Sequence, residues 1–323
     1  MSKKTLLFLS GIADDQMLKV KSIDPEGEMH FKFDGNYLLA NYLPDTHFNK
    51  IHVLLDTHAE QQITIPEFNA VFNQIADANT HTVTLSKVKH LHDSQEGKVP
   101  FFNAPARVEA TRKEHLAISL ANIQNLHIPK SILCHPRTPD ALLKSIETEM
   151  LQYPVMIQSA DDESILPVLL MKQSTSVNSL ALNGQGYIVS EFISYQLNEY
   201  YRKERLAVVD GEVFLANVQF SDNPYITEST QVLDEETNIM RASIARRFDA
   251  EIKPHIQTIV TEIHQVLGLD FFILDCHIDM HKKIHLFRVN PDVDIFAVQK
   301  NDLFAEHLNA IYAKIVTMIE SRL

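Results

Sequence analysis

The sequence predicts a mixed α+β and α/β protein: a small N-terminal α/β domain followed by a two-lobed α+β body. Three observations predict it. The chain has 323 residues, 45% apolar and 22% charged, a globular composition long enough for two domains at roughly 150 residues each. Over the first hundred residues short apolar runs alternate with helical patterns, as in an α/β layer. Later, Asp210-Gly211 between alternating apolar residues marks a hairpin, followed by two helical patterns and a second hairpin.

In order along the chain, Leu6–Leu9 and Ile51–Leu55 read as buried strands. Between Ile65 and Asn79, residues Phe68, Val71, Phe72, Ile75 and Ala76 recur at helical spacing behind Pro66, which predicts a helix. The polar run Asp93–Lys98 reads as a linker, so the parts are 1–100, 101–195 and 196–323. Asn103-Ala104-Pro105 is turn chemistry before a helix expected over about 107–124. Ile132-Leu133 is a short strand, and Thr138 caps a helix with Pro139 at its first position. Tyr153–Gln158, Val168–Met171 and Tyr187–Ile193 read as strands, then Leu206–Val209 and Val213–Phe220 as the hairpin. Helical patterns occupy about 234–248 and 253–267. Phe271–Ile278 and Ile284–Val289 pair, and a last helix starts near Asp302.

Composition excludes several classes. With 42 Asp+Glu against 29 Lys+Arg the net charge is −13, a field that repels nucleic-acid phosphates and anionic membrane surfaces. No apolar stretch reaches the ~18 residues of a membrane span, and the run after Lys3-Lys4 is too short for a signal peptide. Two cysteines, Cys134 and Cys276, do not make a disulfide framework. The expectation is a soluble cytoplasmic protein. Eight scattered glycines leave no dinucleotide or P-loop fingerprint, and no Gly-x-Ser-x-Gly elbow occurs.

Several strings, in order, carry a resemblance: Phe102–Pro105 with Thr111-Arg112-Lys113, Tyr187–Ile193, Tyr201–Arg205 with Val208–Gly211, Gly268–Asp275, and Phe287–Pro291. Over about residues 100–296 they resemble the ATP-grasp superfamily, particularly members fused to tetratricopeptide repeats. The resemblance implies ATP held between two lobes with Mg2+, phosphoryl transfer to a small-molecule or peptide carboxylate, and attack by an amine. It implies that the backbone of Glu191, Phe192 and Ile193 holds the adenine edge, and that Glu199 accepts from the ribose. It further implies that Arg205 faces the phosphates, and that Asp275 and Asn290 ligate magnesium. Lys172 is a further phosphate candidate.

Three positions depart from the family pattern. Gln158 stands where the nucleotide-facing strand has Lys or Arg. The usually Gly-rich loop after it reads Ser159-Ala160-Asp161-Asp162-Glu163-Ser164, and like charges ~4 Å apart repel by about 4 kcal/mol at an effective dielectric of 20. Arg288 replaces a metal-ligating Glu, so it supplies positive charge directly. These departures favour a second reading beside the ligase: a catalytically degenerate scaffold partnering a biosynthetic enzyme. A kinase-like ATP user is a third. A protein partner or a second copy of the chain is compatible with each.

Cys276, His277, Asp279, His281 and His285 crowd the second hairpin. Alternation places Asp275, His277 and Asp279 on one face and Cys276 on the other. Zinc-type ligand spacing is absent, so hydrogen-bonded or solvated histidines are the expectation. Cys134 sits beside His135 without a third member for a nucleophile site.

Overall fold

Leu6, Leu7, Phe8 and Leu9 are all buried, as a strand paired on both edges and covered on both faces requires. In the computed structural model they are the centre of β1 (Lys4–Gly11). The structure describes residues 3–323 except 38, 59–63, 161–168, 174–181, 198, 228–229 and 292–301. After β1 come the antiparallel pair β2 (Lys19–Ile23) and β3 (Met29–Lys32), then β4 (Phe48–Leu55), β5 (Ala70–Asn73), α1 (Thr82–Gln95) and β6 (Phe101–Phe102). The N-terminal sheet is parallel, in the order β4-β1-β5-β6.

The helix expected between Ile65 and Asn79 is instead β5. Its four residues are all buried, because β5 lies between β1 and β6. A fully buried parallel strand has no polar face, so a short apolar run fits either period. The helix of this region is α1, and the expected linker at 93–98 begins with its last residues. No side chain at the N-cap His81 caps α1. Asp14, in the loop after β1, does so: its carboxylate accepts from the Thr82 N–H at 2.9 Å and the Val83 N–H at 3.0 Å.

The helix expected over 107–124 is broken into α2 (Pro105–Glu109) and α3 (Lys113–Ser119). Arg112 between them is extended, with ψ 132°, and its guanidinium donates to the Ala78 carbonyl at 2.7 Å. β7 (Leu126–His127) follows. The central lobe consists of β8 (Ser131–Cys134), α4 (Pro139–Thr148), β9 (Val155–Ser159), β10 (Leu169–Met171) and β11 (Tyr187–Glu191). Its antiparallel order is β10-β9-β11-β8. Thr138 caps α4, accepting from the Ala141 N–H. Val168 and most of the acidic loop, residues 161–164, lie outside the described residues.

The C-terminal lobe comprises β12 (Gln196–Leu197), β13 (Tyr200–Val209), β14 (Glu212–Ser221), α5 (Glu235–Arg247), α6 (Lys253–Leu267), β15 (Phe271–Ile278), β16 (Ile284–Asn290) and α7 (Ala305–Arg322). Its sheet runs β12-β13-β15-β16-β7, with β14 also paired to β13. Asp210 and Gly211 both have positive φ, 52° and 78°, as a two-residue hairpin turn that follows strand twist demands.

Two hydrophobic cores result among the described residues. One is continuous from the N-terminal sheet into the C-terminal lobe; the other, around Leu142, Ile146, Val155, Ile157 and Tyr187, belongs to the central lobe. Tyr37 stacks on Phe271 with ring centroids 5.1 Å apart, across the joint of the first core. Asn103 fixes that joint. Its side chain accepts from the Asp270 and Phe271 N–H groups and donates to the Phe271 carbonyl. The central lobe is therefore the separately packed body, and the clefts along it form the site.

Candidate functional site

Where the central lobe faces the C-terminal sheet there is a cavity of about 450 Å³. Strand alternation builds its walls. On β9, Val155 and Ile157 pack into the lobe core while Met156 and Gln158 line the cavity. On β13, Lys203 and Arg205 line it, and Glu204 between them is buried. Asp275 of β15, Phe287, Arg288 and Asn290 of β16, and Gln219 of β14 complete the C-terminal wall.

Eight of the ten residues singled out from sequence line this cavity: Gln158, Glu191, Phe192, Ile193, Arg205, Asp275, Arg288 and Asn290. Lys172 and Glu199 do not. Lys172 is exposed just past β10, an edge strand of the central sheet, and Glu199 is exposed in the turn between β12 and β13.

Beyond Glu191 the chain leaves β11 as a fixed hinge. The Glu191 N–H donates to the Lys130 carbonyl at 2.9 Å and the Phe192 N–H to Pro154 at 2.8 Å. The Glu191 carboxylate accepts from the Gln152 N–H at 2.8 Å. Two of the three hinge amides are thus engaged within the chain, which narrows the expected adenine-edge donor to Ile193. Aromatic rings close this end: Tyr195 lies 4.7 Å from Phe287 and 5.3 Å from Tyr201, and its hydroxyl donates to the Pro224 carbonyl. Burial pushes the Tyr195 phenol well above its ordinary pKa, so it acts here as a donor.

The floor is organised around Asp275. Register places Arg205 opposite it on β13 and Arg288 opposite it on β16, so a row Arg205–Asp275–Arg288 crosses three strands. Arg205 Nε donates to Asp275 Oδ1 at 2.9 Å, and Asn290 Nδ2 to Oδ2 at 3.3 Å. Burial raises the Asp275 pKa, yet Arg205, Lys203 and Arg288 together hold it below the ordinary carboxylate value. Lys203 Nζ donates to the Ile226 carbonyl at 2.8 Å. Gln219 Oε1, buried in this wall, has no hydrogen-bond partner among the described residues.

Sequence reasoning did not single out Lys203, Gln219, Tyr195 or Phe287. Lys203 was accessible from it, since period two puts residues 203 and 205 on one face. Among the hairpin histidines, His285 is hydrogen-bonded, as expected, whereas His277 is packed against a ring and its buried Nδ1 has no hydrogen-bond partner among the described residues. His285 Nε2 lies 3.2 Å from Asp279 Oδ2, and the His277 ring is 5.8 Å from that of Tyr195. Burial, reinforced by the Arg202 charge, lowers the His277 pKa to about 4. No group of three His, Cys, Asp or Glu able to hold a metal occurs among the described residues.

A second cavity of about 550 Å³ adjoins the first. N-terminal loops line it, including Gly11–Asp15 and Ala76–His81, together with Arg112. Lys113, Arg288 and Asn290 line both cavities and form the wall they share. Gly11 is required there, because a Cβ on it would stand 2.5 Å from Thr84 Oγ1.

This architecture is similar, over 100% of both chains, to the VanG D-Ala:D-Ser ligase of Enterococcus faecalis, with a TM-score of 0.59 at 14% identity. It is also similar to a RiPP-associated ATP-grasp ligase of Chryseobacterium gregarium, solved with ADP and a leader and core peptide. That likeness has a TM-score of 0.53 at 13% identity, over 99% of this chain and 97% of the other. The chain has the ATP-grasp fold. In sequence, 115 residues are 30% identical to the coenzyme gamma-F420-2:alpha-L-glutamate ligase of Methanocaldococcus jannaschii. The match spans 35% of this chain and 39% of that ligase. No family model matches the sequence. No helix among the described residues is long and apolar enough to cross a membrane.

Magnesium, which the ATP-grasp resemblance implies, does not fit this floor. Mg2+ requires near-octahedral oxygen donors and is usually held by one or two carboxylates plus phosphates. Among the described cavity-lining residues from the floor strands, Asp275 is the one carboxylate, and both its oxygens are engaged, by Arg205 and Asn290. A divalent cation about 5 Å from a guanidinium is repelled by about 7 kcal/mol at an effective dielectric of 20. Guanidiniums flank Asp275 on both sides.

Proposed function

We propose that the protein is an ATP-dependent carboxylate–amine ligase, with the nucleotide in the 450 Å³ cavity and the acceptor in the adjoining one. One observation carries this reading: Lys113, Arg288 and Asn290 line both chambers, so a γ-phosphate at that wall faces whatever occupies the second. A carboxylate oxygen there attacks the γ-phosphorus, ADP leaves, and an acyl phosphate forms. An amine then attacks the carbonyl carbon, inorganic phosphate leaves, and an amide results. Effective catalysis of this kind is mainly positioning and charge stabilisation.

The site residues take roles that follow from their places. The Ile193 N–H and the hinge carbonyls of Glu191 and Phe192 meet the adenine edge, with Phe287 against the base. Gln158 donates its amide to a phosphate oxygen. Arg205 and Arg288 face the phosphate charge, and a guanidinium suits it through its fixed fork of donors. The likeness to a D-Ala:D-Ser ligase, a peptide-bound ligase and a glutamate ligase supports a small-molecule or peptide carboxylate as acceptor.

The engagement of Asp275 by Arg205 and Asn290 favours a second reading, a nucleotide-binding scaffold without turnover that serves a protein partner. ADP release measured with ATP and panels of amino acids and short peptides separates the two. Acid-dependent ADP release supports the ligase; nucleotide binding with no stimulated release supports the scaffold. Failure of any adenine nucleotide to bind the folded chain at millimolar concentration overturns both.

A further inference from the structure

Resting on the nucleotide reading of the first cavity, we infer that its floor binds the triphosphate without a divalent cation, the phosphate charge being met by Lys203, Arg205 and Arg288. The geometry is the ground for this. A metal-binding floor presents carboxylates toward the phosphates. Here three adjacent strands present the row Arg205–Asp275–Arg288, and Lys203 shares the cavity face with Arg205. In that set of four side chains three are cations and one is a carboxylate. The lone acid is turned inward, one oxygen on Arg205 Nε at 2.9 Å and the other on Asn290 Nδ2 at 3.3 Å.

Asn290 is a carboxamide and could itself offer an oxygen to a metal. Its Nδ2 is the atom that lies toward Asp275, as a donor facing a charged acceptor must. Reversing that amide would set two acceptor oxygens against each other and leave Asp275 Oδ2 without this bond. Mg2+ would have to compete with Arg205 and Asn290 for the two Asp275 oxygens. Free ATP carries more negative charge than its magnesium complex, so a floor of fixed cations favours the metal-free form. Charge-assisted bonds from guanidinium to phosphate then replace the contacts that a bridging metal makes in other phosphoryl-transfer sites.

The test is calorimetric titration of the full chain with the non-hydrolysable analogue AMP-PNP, in EDTA and in 10-fold molar excess of Mg2+ over nucleotide. A dissociation constant in EDTA that is lower, equal, or higher by less than threefold supports the inference. Tightening by magnesium of threefold or more overturns it while leaving the nucleotide reading intact. Binding in neither arm removes the nucleotide reading and this inference together. A second arm uses the metal alone. Mn2+ titrated into the wild-type chain and into Arg288→Glu, followed by electron paramagnetic resonance, should show a bound signal only in the variant. The variant should also lose at least tenfold in metal-free AMP-PNP affinity and regain it with Mg2+. A wild-type Mn2+ site tighter than 100 μM overturns the inference, and Arg288→Gln gives the affinity comparison if Arg288→Glu does not fold.

Discussion

Arg205 and Asp275 are cross-strand neighbours on β13 and β15, and the guanidinium Nε of one lies 2.9 Å from a carboxylate oxygen of the other beneath the cavity. Both side chains are largely buried. In such a pair removal of one partner leaves an uncompensated charge, at a cost of about 3–5 kcal/mol. Asp275→Asn should therefore lower unfolding free energy in urea by roughly that amount. It also removes the one negative charge of the row, so metal-free affinity for an ATP analogue should rise at least threefold in calorimetry. A fall in affinity would show Asp275 contributing to the ligand through a cation.

Asn103 makes four hydrogen bonds across the joint between the N-terminal sheet and the C-terminal lobe, three of them reaching Phe271 or the Asp270 backbone through its side chain, and its carbonyl accepts a fifth from Asn73 of β5. Its φ of 50° is left-handed, a region Asn tolerates better than other non-glycine residues. Asn103→Ala should cost about 2–4 kcal/mol in urea unfolding, the loss expected when buried backbone groups are left unpaired. Asn103→Asp, which keeps the acceptor, should recover part of it.

Gln219 carries a buried acceptor without a partner among the described residues. Gln219→Leu removes that orphan and should raise the stability of the ligand-free protein by about 1–3 kcal/mol. A bound ligand that donates to Gln219 would stabilise the wild type more than the variant. The shift in melting temperature on adding ATP analogue should accordingly be smaller in Gln219→Leu.

His277 introduces a pH dependence whose sign is fixed. Its folded pKa, about 4, lies below its unfolded value near 6.5. The unfolded chain binds the extra proton in that window, so the neutral imidazole's stabilisation is complete above pH 6.5 and is lost as pH falls toward 4. The span corresponds to about 3 kcal/mol as an order of magnitude. His81 and His127, both lowered mainly by burial, act in the same direction. Urea unfolding of His277→Gln at pH 7, 5.5 and 4.5 should give a flatter profile than the wild type.

Local chemistry was sufficient wherever a few consecutive residues decide the backbone. Asp210-Gly211 turns where it must, because both residues tolerate the positive φ that the hairpin imposes. Thr138 caps α4 through its own hydroxyl, and Asn103 sits at a turn. The paired strands ending in Val289-Asn290 and the hinge string at Tyr187–Ile193 were legible as well, together with eight of the residues that line one cavity. Each of these features depends on side chains within a few positions of one another.

Tertiary structure decided what depends on distant partners. Ala70–Asn73 is a strand because β1 and β6 pair with it on both edges, which its apolar spacing cannot report. The cap of α1 is Asp14, 68 residues before Thr82, and no local string announces it. Lys172 and Glu199 are exposed and are not among the residues that line the cavity, although Glu199 stands just before a matching string. Arg288 is read from sequence as an altered residue. Only the register of β13, β15 and β16 makes it the third member of the row Arg205–Asp275–Arg288. Side-chain charge is written residue by residue, but whether charges neutralise one another is set by cross-strand pairing, because Coulomb energy depends on separation and burial, and both arise only when the strands align.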